Sequence, residues 1–388
     1  MRFLHDTKIR FMKYRWHWII VSTVLNLVAI GVIFFGPGFK YGVDFAGGTQ
    51  LTVKFRTQPD LGRVRRALES LKIGTVTIQR VGNEDVHEFL IRMQNPKRTE
   101  GDFATVMVNA LDREFNARSS AMKLNLQGSE TITDELAQAN PDHANGTQAE
   151  LQEHYKPMAE GILAARKQLG ILTSAADLQG VTLSPAVRAY VDQDAHFGEF
   201  ALEAADNVGP LVGKDLRQKA LYAVAFSLLG MLIYIWFRFK LQYGLGAIIA
   251  NFHDVMLTLG VLSLTGREME IPTIAALLTL VGYSVNDTVI IFDRIRETQK
   301  LERGKPLIEV MDDAINRTLS RTIITSGLTW LVVLSLFLFG GHVINTFAFT
   351  LLIGIIFGTY SSIYIASPFA LGVSNWVERR KAAKRRRK

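Results

Sequence analysis

Residues Pro272–Phe292 read PTIAALLTLVGYSVNDTVIIF and carry a single charge, Asp287. About 20 mostly apolar residues suffice for a helix to cross the hydrocarbon core of a bilayer, so this stretch is long enough to span one. Five further segments read the same way: Trp16–Phe35, Ala220–Phe237, Gln242–Leu264, Thr322–Phe339 and Asn345–Ala366. The first ends Phe34-Phe35-Gly36-Pro37 without a small-residue cleavage pattern, so it is expected to remain as an anchor. The sequence thus predicts an α-helical membrane protein with six transmembrane helices.

Composition agrees. Of 388 residues, 48% are hydrophobic and 21% charged, and mean hydropathy is +0.15. The apolar residues come in long runs with the charges between them, which excludes a disordered chain, a coiled coil and a collagen-like chain. With no cysteine, disulfides, thiolate nucleophiles and cysteine-ligated metal centres are excluded too. The eight histidines are scattered without an HExxH-type pair, so no metal and no cofactor is expected.

The net charge of +8 is unevenly spread. Gly36–Asp215 holds 19 Lys and Arg against 24 Asp and Glu, and the remainder 25 against 12. Its pI near 9.5 would suit a nucleic-acid binder, but the basic residues sit where apolar segments end. That is the distribution of topology signals, and no nucleic-acid partner is expected. Basic flanks comprise Arg2, Lys8, Arg10, Lys13 and Arg15, then Arg238 and Lys240, seven residues from Arg294 to Arg321, and the tail from Arg379 to Lys388. All fall on one face if both termini are cytoplasmic. The expected order is a cytoplasmic arm (1–15), a periplasmic domain (36–219), a cytoplasmic loop (293–321) and a basic cytoplasmic tail (367–388). The tail's charge also suits anionic lipids.

The domain between the first two spans opens as a small α/β unit. Thr49–Phe55, Thr75–Val81 and His87–Met93 alternate in the strand period, with a turn over residues 82–85. Asp60–Leu71 and Asp102–Phe115 read as helices, and a last strand is placed near Phe197–Ala205. That succession predicts a ferredoxin-like α/β domain. About 128–193 does not fit it, being rich in Ala, Gln and Asp, with an amphipathic helix over about Met158–Leu169. This insertion reads either as a helical subdomain or flap, or as a disordered loop.

Two glycine motifs flank the domain. Gly42-Val43-Asp44-Phe45-Ala46-Gly47-Gly48-Thr49 lacks the strand, Lys and Ser/Thr of a P-loop. In Gly209-Pro210-Leu211-Val212-Gly213-Lys214-Asp215 the spacing is one short, and Asp215 replaces the magnesium-binding hydroxyl. Both read as hinges where glycine permits tight turns.

The intramembrane charges carry the chemistry. Asp254 lies 12 residues into the third span, about 18 Å deep, and Asp287 lies 15 residues past Pro272, about 22 Å deep. Arg321 opens the fifth span. An ionised carboxylate at such depth costs at least about 2.5–3.5 kcal/mol. Asp287, with Tyr283, Ser284 and Asn286 nearby on its helix, and Arg321, with Thr325 and Ser326 a turn away, suit a proton path. The alternative is a fixed Asp287–Arg321 pair that locks two helices. Asp254 has its own alternative, a packing network with His253 and Asn251. His342 and Asn345 read as interfacial, and Ser22, Ser227 and Ser361 lack the context of a nucleophile.

GVDFAGGT after span one, NVGPLVGKDL before span two, NFHDVMLTLG in span three, GYSVNDTVIIFDRIRE in span four and NRTLSRTIITS into span five together resemble the SecF family of bacterial protein-export membrane subunits, within the resistance-nodulation-division (RND) superfamily. The match covers most of the chain in order, and the long insertion is a departure from it. The resemblance implies a non-enzymatic protein of the inner membrane that pairs with SecD beside the SecYEG channel. YajC and YidC are further implied neighbours. It also implies use of the proton-motive force in late steps of moving a translocating polypeptide. The family's proton-transfer aspartate then falls on Asp287 and its functional arginine on Arg321. An RND-type exporter of small molecules or lipids is the alternative function.

Overall fold

The computed structural model describes residues 7–82, 84–94, 102–116, 122–239 and 241–386. Arg2, Asn83 of the 82–85 turn, Lys240, and the last two basic residues of the tail lie outside them. The chain opens with α1 (Arg15–Phe35), β1 (Lys40–Tyr41), α2 (Val43–Ala46), β2 (Gly48–Phe55), α3 (Leu61–Glu69), β3 (Thr75–Val81), β4 (Glu88–Gln94) and α4 (Phe103–Phe115). Then come β5 (Met122–Lys123), α5 (Ser129–Ala139), α6 (Gln148–Leu169), α7 (Pro185–Asp194), β6 (Ala195–His196) and β7 (Phe200–Val208). The rest is helical apart from β8 (Glu268–Met269): α8 (Pro210–Arg238), α9 (Leu241–Leu264), α10 (Ile271–Leu301), α11 (Leu307–Phe339), α12 (Gly341–Ser361) and α13 (Ser367–Arg386).

Two units partition the chain: Val43–Asp215, and Met1–Gly42 with Leu216–Lys388. In the first, four antiparallel strands run in the order β3-β4-β2-β7, with α3 and α4 on one face. Leu51, Val53 and Phe55 alternate inward from β2 and meet Val64 and Leu68 of α3 and Met107 and Leu111 of α4. Each such side chain removed from water contributes about 1.5–3 kcal/mol. Asp60 and Asp102 start the two helices by accepting from the N–H groups of Gly62 and Thr105.

Residues 129–194 form three helices. Thr147 and Glu150 form a reciprocal cap that starts α6 at Gln148, earlier than the Met158 start read from apolar spacing. Ile132 and Leu136, Tyr155 and Ile162, and Val187 and Val191 build a core separate from that of the sheet. Asn125 ties this core to β7: its side chain accepts from Leu172 N–H at 3.0 Å and donates to Leu172 O at 2.7 Å and to Phe197 O, while its carbonyl accepts from Leu202 N–H at 2.8 Å. Of the two readings of the insertion, the helical one is what the chain adopts.

The second unit contains six helices long and apolar enough to cross a membrane, among the described residues. α9, α10 and α12 form its buried centre, while α1, α8 and α11 expose most of their surface. α1 and α9 run parallel: the short strands that follow them pair in parallel, and Ser263 Oγ donates to Gly38 O at 2.8 Å. Small residues bring helices together, as where a Cβ on Gly260 would lie 2.5 Å from Ala29 Cβ. The stretch 293–321, read as a loop, is helical except at 302–306. Its apolar residues Ile295, Val310, Met311, Ile315 and Leu319 keep helical spacing and pack with Phe11, Met12 and Tyr243. α10 is therefore about 46 Å long, well beyond a hydrocarbon core of about 30 Å. The tail is likewise helical, because α12 passes through a π turn at Ser362–Ala366 into α13.

Candidate functional site

Asp254 sits at the centre of the membrane unit and is wholly buried. Helical phase turns it inward between α10 and α12. Its carboxylate accepts from Ser284 Oγ at 2.5 Å, Ser361 Oγ at 2.7 Å and His253 Nδ1 at 2.9 Å. Two features of α12 make this possible. Gly358 has no side chain where a Cβ would lie 3.2 Å from Ser284 Cβ, so the two helices approach closely. The π turn that begins at Ser362 then widens the helix immediately after Ser361, a distortion frequent at functional sites.

Asp287 lies three residues after Ser284 on α10 and is also buried. Its carboxylate accepts from Ser326 Oγ of α11 at 2.9 Å. Arg321, a turn and a half earlier on α11, acts on Asp287 through its charge, but the two form no ion pair. The guanidinium is exposed instead, lining a groove of about 430 Å³ with Ile290, Asp293, Arg294, Glu297, Arg317 and Thr318. The site therefore has a sealed part at Asp254 and a part at Asp287 that neighbours this open groove.

The remaining residues read from the sequence separate in the structure. Ser284 shares the face of Asp287, yet its hydroxyl goes to Asp254. Tyr283 is half-buried and its hydroxyl has no partner among the described residues. Asn286 faces outward, and Thr325 donates to the carbonyl of Arg321 at 2.9 Å. Asn345 accepts from Arg267 Nη1 at 2.7 Å, while the side chain of His342 lies outside the description. Sequence reasoning set Ser361 aside for want of a nucleophile's context. The signal was there in its spacing, one turn after Gly358 on an apolar helix, where a hydroxyl needs an acceptor.

The glycine motifs form a second candidate site within Val43–Asp215. Gly47 and Gly48 have φ of +76° and +144°, which admit the reversal from α2 into β2 only without a Cβ. A Cβ on Gly213 would lie 3.1 Å from Gly47 N and 3.2 Å from Phe45 O, so the start of α8 rests on that reversal. Gly48 pairs with Val208, and Thr49 Oγ1 donates to Asn207 Oδ1 at 3.0 Å. Gly209 O accepts from Gly213 N–H at 2.9 Å, Pro210 opens α8, and Asp44 lies in α2. Gly42, in the other unit, donates its N–H to Met269 O at 3.0 Å. The two motifs, read as separate linkers, are thus two sides of one packed turn.

Comparison with known proteins places this arrangement. Residues 190–376 match the model of the protein export membrane protein SecD/SecF C-terminal region, and residues 32–59 match that of the SecD/SecF GG motif. Protein translocase subunit SecF of Koribacter versatilis is 39% identical over 386 residues, covering 97% of this chain and 94% of that one. The chain belongs to the SecD/SecF family. Protein translocase subunit SecF of Calditerrivibrio nitroreducens is 37% identical, with 94% of this chain and 93% of that one covered. Among solved structures, SecDF of Thermus thermophilus, a translocon-associated membrane protein, superposes with a TM-score of 0.65 at 30% identity and covers 96% of this chain. This chain spans 40% of that longer one. Both family models include residues of the glycine turn, and the C-terminal model includes Asp254, Asp287 and Arg321.

Proposed function

We propose that this chain is a SecF-type, non-enzymatic accessory subunit of the Sec translocase, a multi-pass inner-membrane protein that uses proton movement past Asp287 and Arg321 to promote late steps of polypeptide export. The observation that carries the reading is the buried Asp287 carboxylate, held by one neutral hydroxyl beside a groove that exposes Arg321. A carboxylate so placed has no ion-pair partner, and a lone hydroxyl stabilises its charge far less than a paired cation does. Movement of α11 that brought Arg321 toward Asp287 would release the proton. The lysines and arginines at one set of helix ends support cytoplasmic termini and a periplasmic position for Val43–Asp215. The strand order β3-β4-β2-β7 with two helices on one face supports a ferredoxin-like reading of that domain.

A SecD-like half is the proposed partner. Ala275, Thr279, Gly282 and Asn286 form an outward-facing small and polar stripe on α10, the kind of surface that packs on another membrane helix. SecYEG, and YajC and YidC beside it, are the further proposed neighbours, with the translocating polypeptide at the periplasmic domain and anionic lipids at the basic tail. The RND-type exporter reading is not favoured. The test is Asp287→Asn in a translocase reconstituted with SecD and SecYEG. Loss of the stimulation by a proton gradient, with gradient-independent export intact, is expected; full retention of that stimulation would remove Asp287 from the coupling.

A further inference from the structure

His253 is buried, and only one of its ring nitrogens has a partner. Nδ1 bonds Asp254 Oδ1 at 2.9 Å, and Nε2 has none among the described residues. A buried polar atom without a partner costs about 1–3 kcal/mol, so a ring placed only to fill space is poorly suited to this position. With Nδ1 donating to the carboxylate, Nε2 of the neutral ring is a lone pair that can accept a proton.

What surrounds the ring decides which charge states are tolerable. On its own helix it faces Asp254. From α10 comes Ser284 and from α12 Ser361, both donating to that carboxylate. Tyr360 of α12 lies with its ring 6.0 Å from the imidazole and stacks on Tyr364 of the π turn. From α1, Ser22 meets Tyr360 OH at 2.8 Å, and its level matches that of His253. The helices run parallel with Ala29 against Gly260, and Ser22 and His253 each precede that contact by two turns. Asp254, Tyr360 and Tyr364 are the titratable groups in this shell, and no cation is among these neighbours. A protonated imidazole here forms a neutral pair with the ionised Asp254, and a neutral imidazole leaves one negative charge held by three donors. Charge is thus balanced or donor-held in both states, and Nε2 is the one atom of the cluster left to gain or lose a proton.

The geometry points to His253 as a second proton-binding group of the coupling path, taking a proton on Nε2 while Asp254 stays ionised. The step forms one N–H bond with a proton from hydronium or bound water, and its reversal returns that proton to water. Ser284 lies between this centre and Asp287: it donates to Asp254 and stands three residues before Asp287 on α10. Polar groups thereby run from Ser22 on α1 through Tyr360, His253, Asp254 and Ser284 to Asp287 and Ser326 on α11. The inference rests on the proton-coupled reading above and adds a residue to it.

His253→Asn is the informative variant, since its amide reproduces the Nδ1 donor to Asp254 and removes the proton acceptor. In the full chain reconstituted with SecD and SecYEG, gradient-driven export should fall to its gradient-free level. In parallel, ring-¹⁵N histidine NMR of the unsubstituted chain in lipid should show one imidazole that gains a proton at Nε2 as the proton concentration rises, a signal absent from the variant. Full gradient-driven export by His253→Asn, or a ring that stays in one state at every pH, overturns the inference. Should the variant fail to assemble, the NMR titration decides alone. Asp287→Asn assayed alongside separates the levels. If it loses coupling while His253→Asn keeps it, this inference alone fails. If Asp287→Asn keeps coupling, the proton-coupled reading falls and this one with it.

Discussion

Two buried carboxylates flank one turn of α10, with Ser284 donating to Asp254 and standing three residues before Asp287, yet their surroundings are opposite. Asp254 is sealed between three helices and saturated with donors from each of them. Asp287 has one donor and stands near the groove that exposes Arg321. The first arrangement holds helices α9, α10 and α12 in register whatever else it does, and the second leaves room for change. The difference teaches that depth in the bilayer does not by itself assign a role to an acidic residue; the number and origin of its donors do.

Substitutions should separate the two sites, and the largest effect falls on export. Asp287→Asn should abolish gradient-driven translocation while leaving the thermal unfolding midpoint of the purified chain nearly unchanged. Asp254→Ala should act strongly on stability. It orphans Ser284 and His253, each buried group costing about 1–3 kcal/mol, while Ser361 keeps the carbonyl of Gly358, so the midpoint should drop markedly. A midpoint equal to that of the parent would show that the Asp254 network does not hold the helices. Gly358→Val comes next: its side chain would meet Ser284 at van der Waals limits or closer and push α12 from α10, lowering stability by about 1–3 kcal/mol through overpacking. Ser326→Ala should cost least, about 0.6 kcal/mol by the average for hydrogen bonds in membrane proteins, with its effect seen in the pH profile of export rather than in stability.

The soluble domain offers a pH counterpart. Burial pushes the carboxyls of Glu88 and Glu203 above the ordinary range; the charge of Glu203 adds to the shift of Glu88, while Lys54 and Arg166 oppose that of Glu203. A folded-state value above the unfolded one gives a contribution that is present at low pH and lost as pH rises through the folded value. Asp102, lowered by its bonds from Thr105, has the opposite sign: its contribution is present at neutral pH and is lost as pH falls through the folded value. Glu203→Gln should therefore increase hydrogen-exchange protection of β2 and β7 in the full chain at neutral pH, with the gain vanishing in acid. A gain of equal size at every pH would refute the assignment.

The spans were legible because about 20 apolar residues in a row have few alternatives, and the charges within them stood out for the same reason. Helical continuation through 293–321 was not, since seven basic residues there mask an apolar stripe that only the packing against Phe11, Met12 and Tyr243 makes plain. The insertion was half legible: alanine-rich composition fits helix and loop alike, and the Thr147–Glu150 cap that starts α6 decided it. At the site, residue identity pointed to Asp254, Asp287 and Arg321, but pairing did not follow from sequence. Ser284 lies on the Asp287 face in helical projection and reaches Asp254 because Gly358 lets α12 close in. Ser361 and the contact of the two glycine motifs depend on approach between elements distant in the chain, which no local pattern encodes.

Infrared difference spectroscopy across a pH titration tests the account most directly, with Asp287→Asn as the reference. A protonated-carboxyl C=O stretch that rises as pH falls in the intact chain in lipid, and is missing from the variant, is the predicted result. A carboxyl of Asp287 fixed in one state at every pH, with export still driven by the gradient, would contradict it.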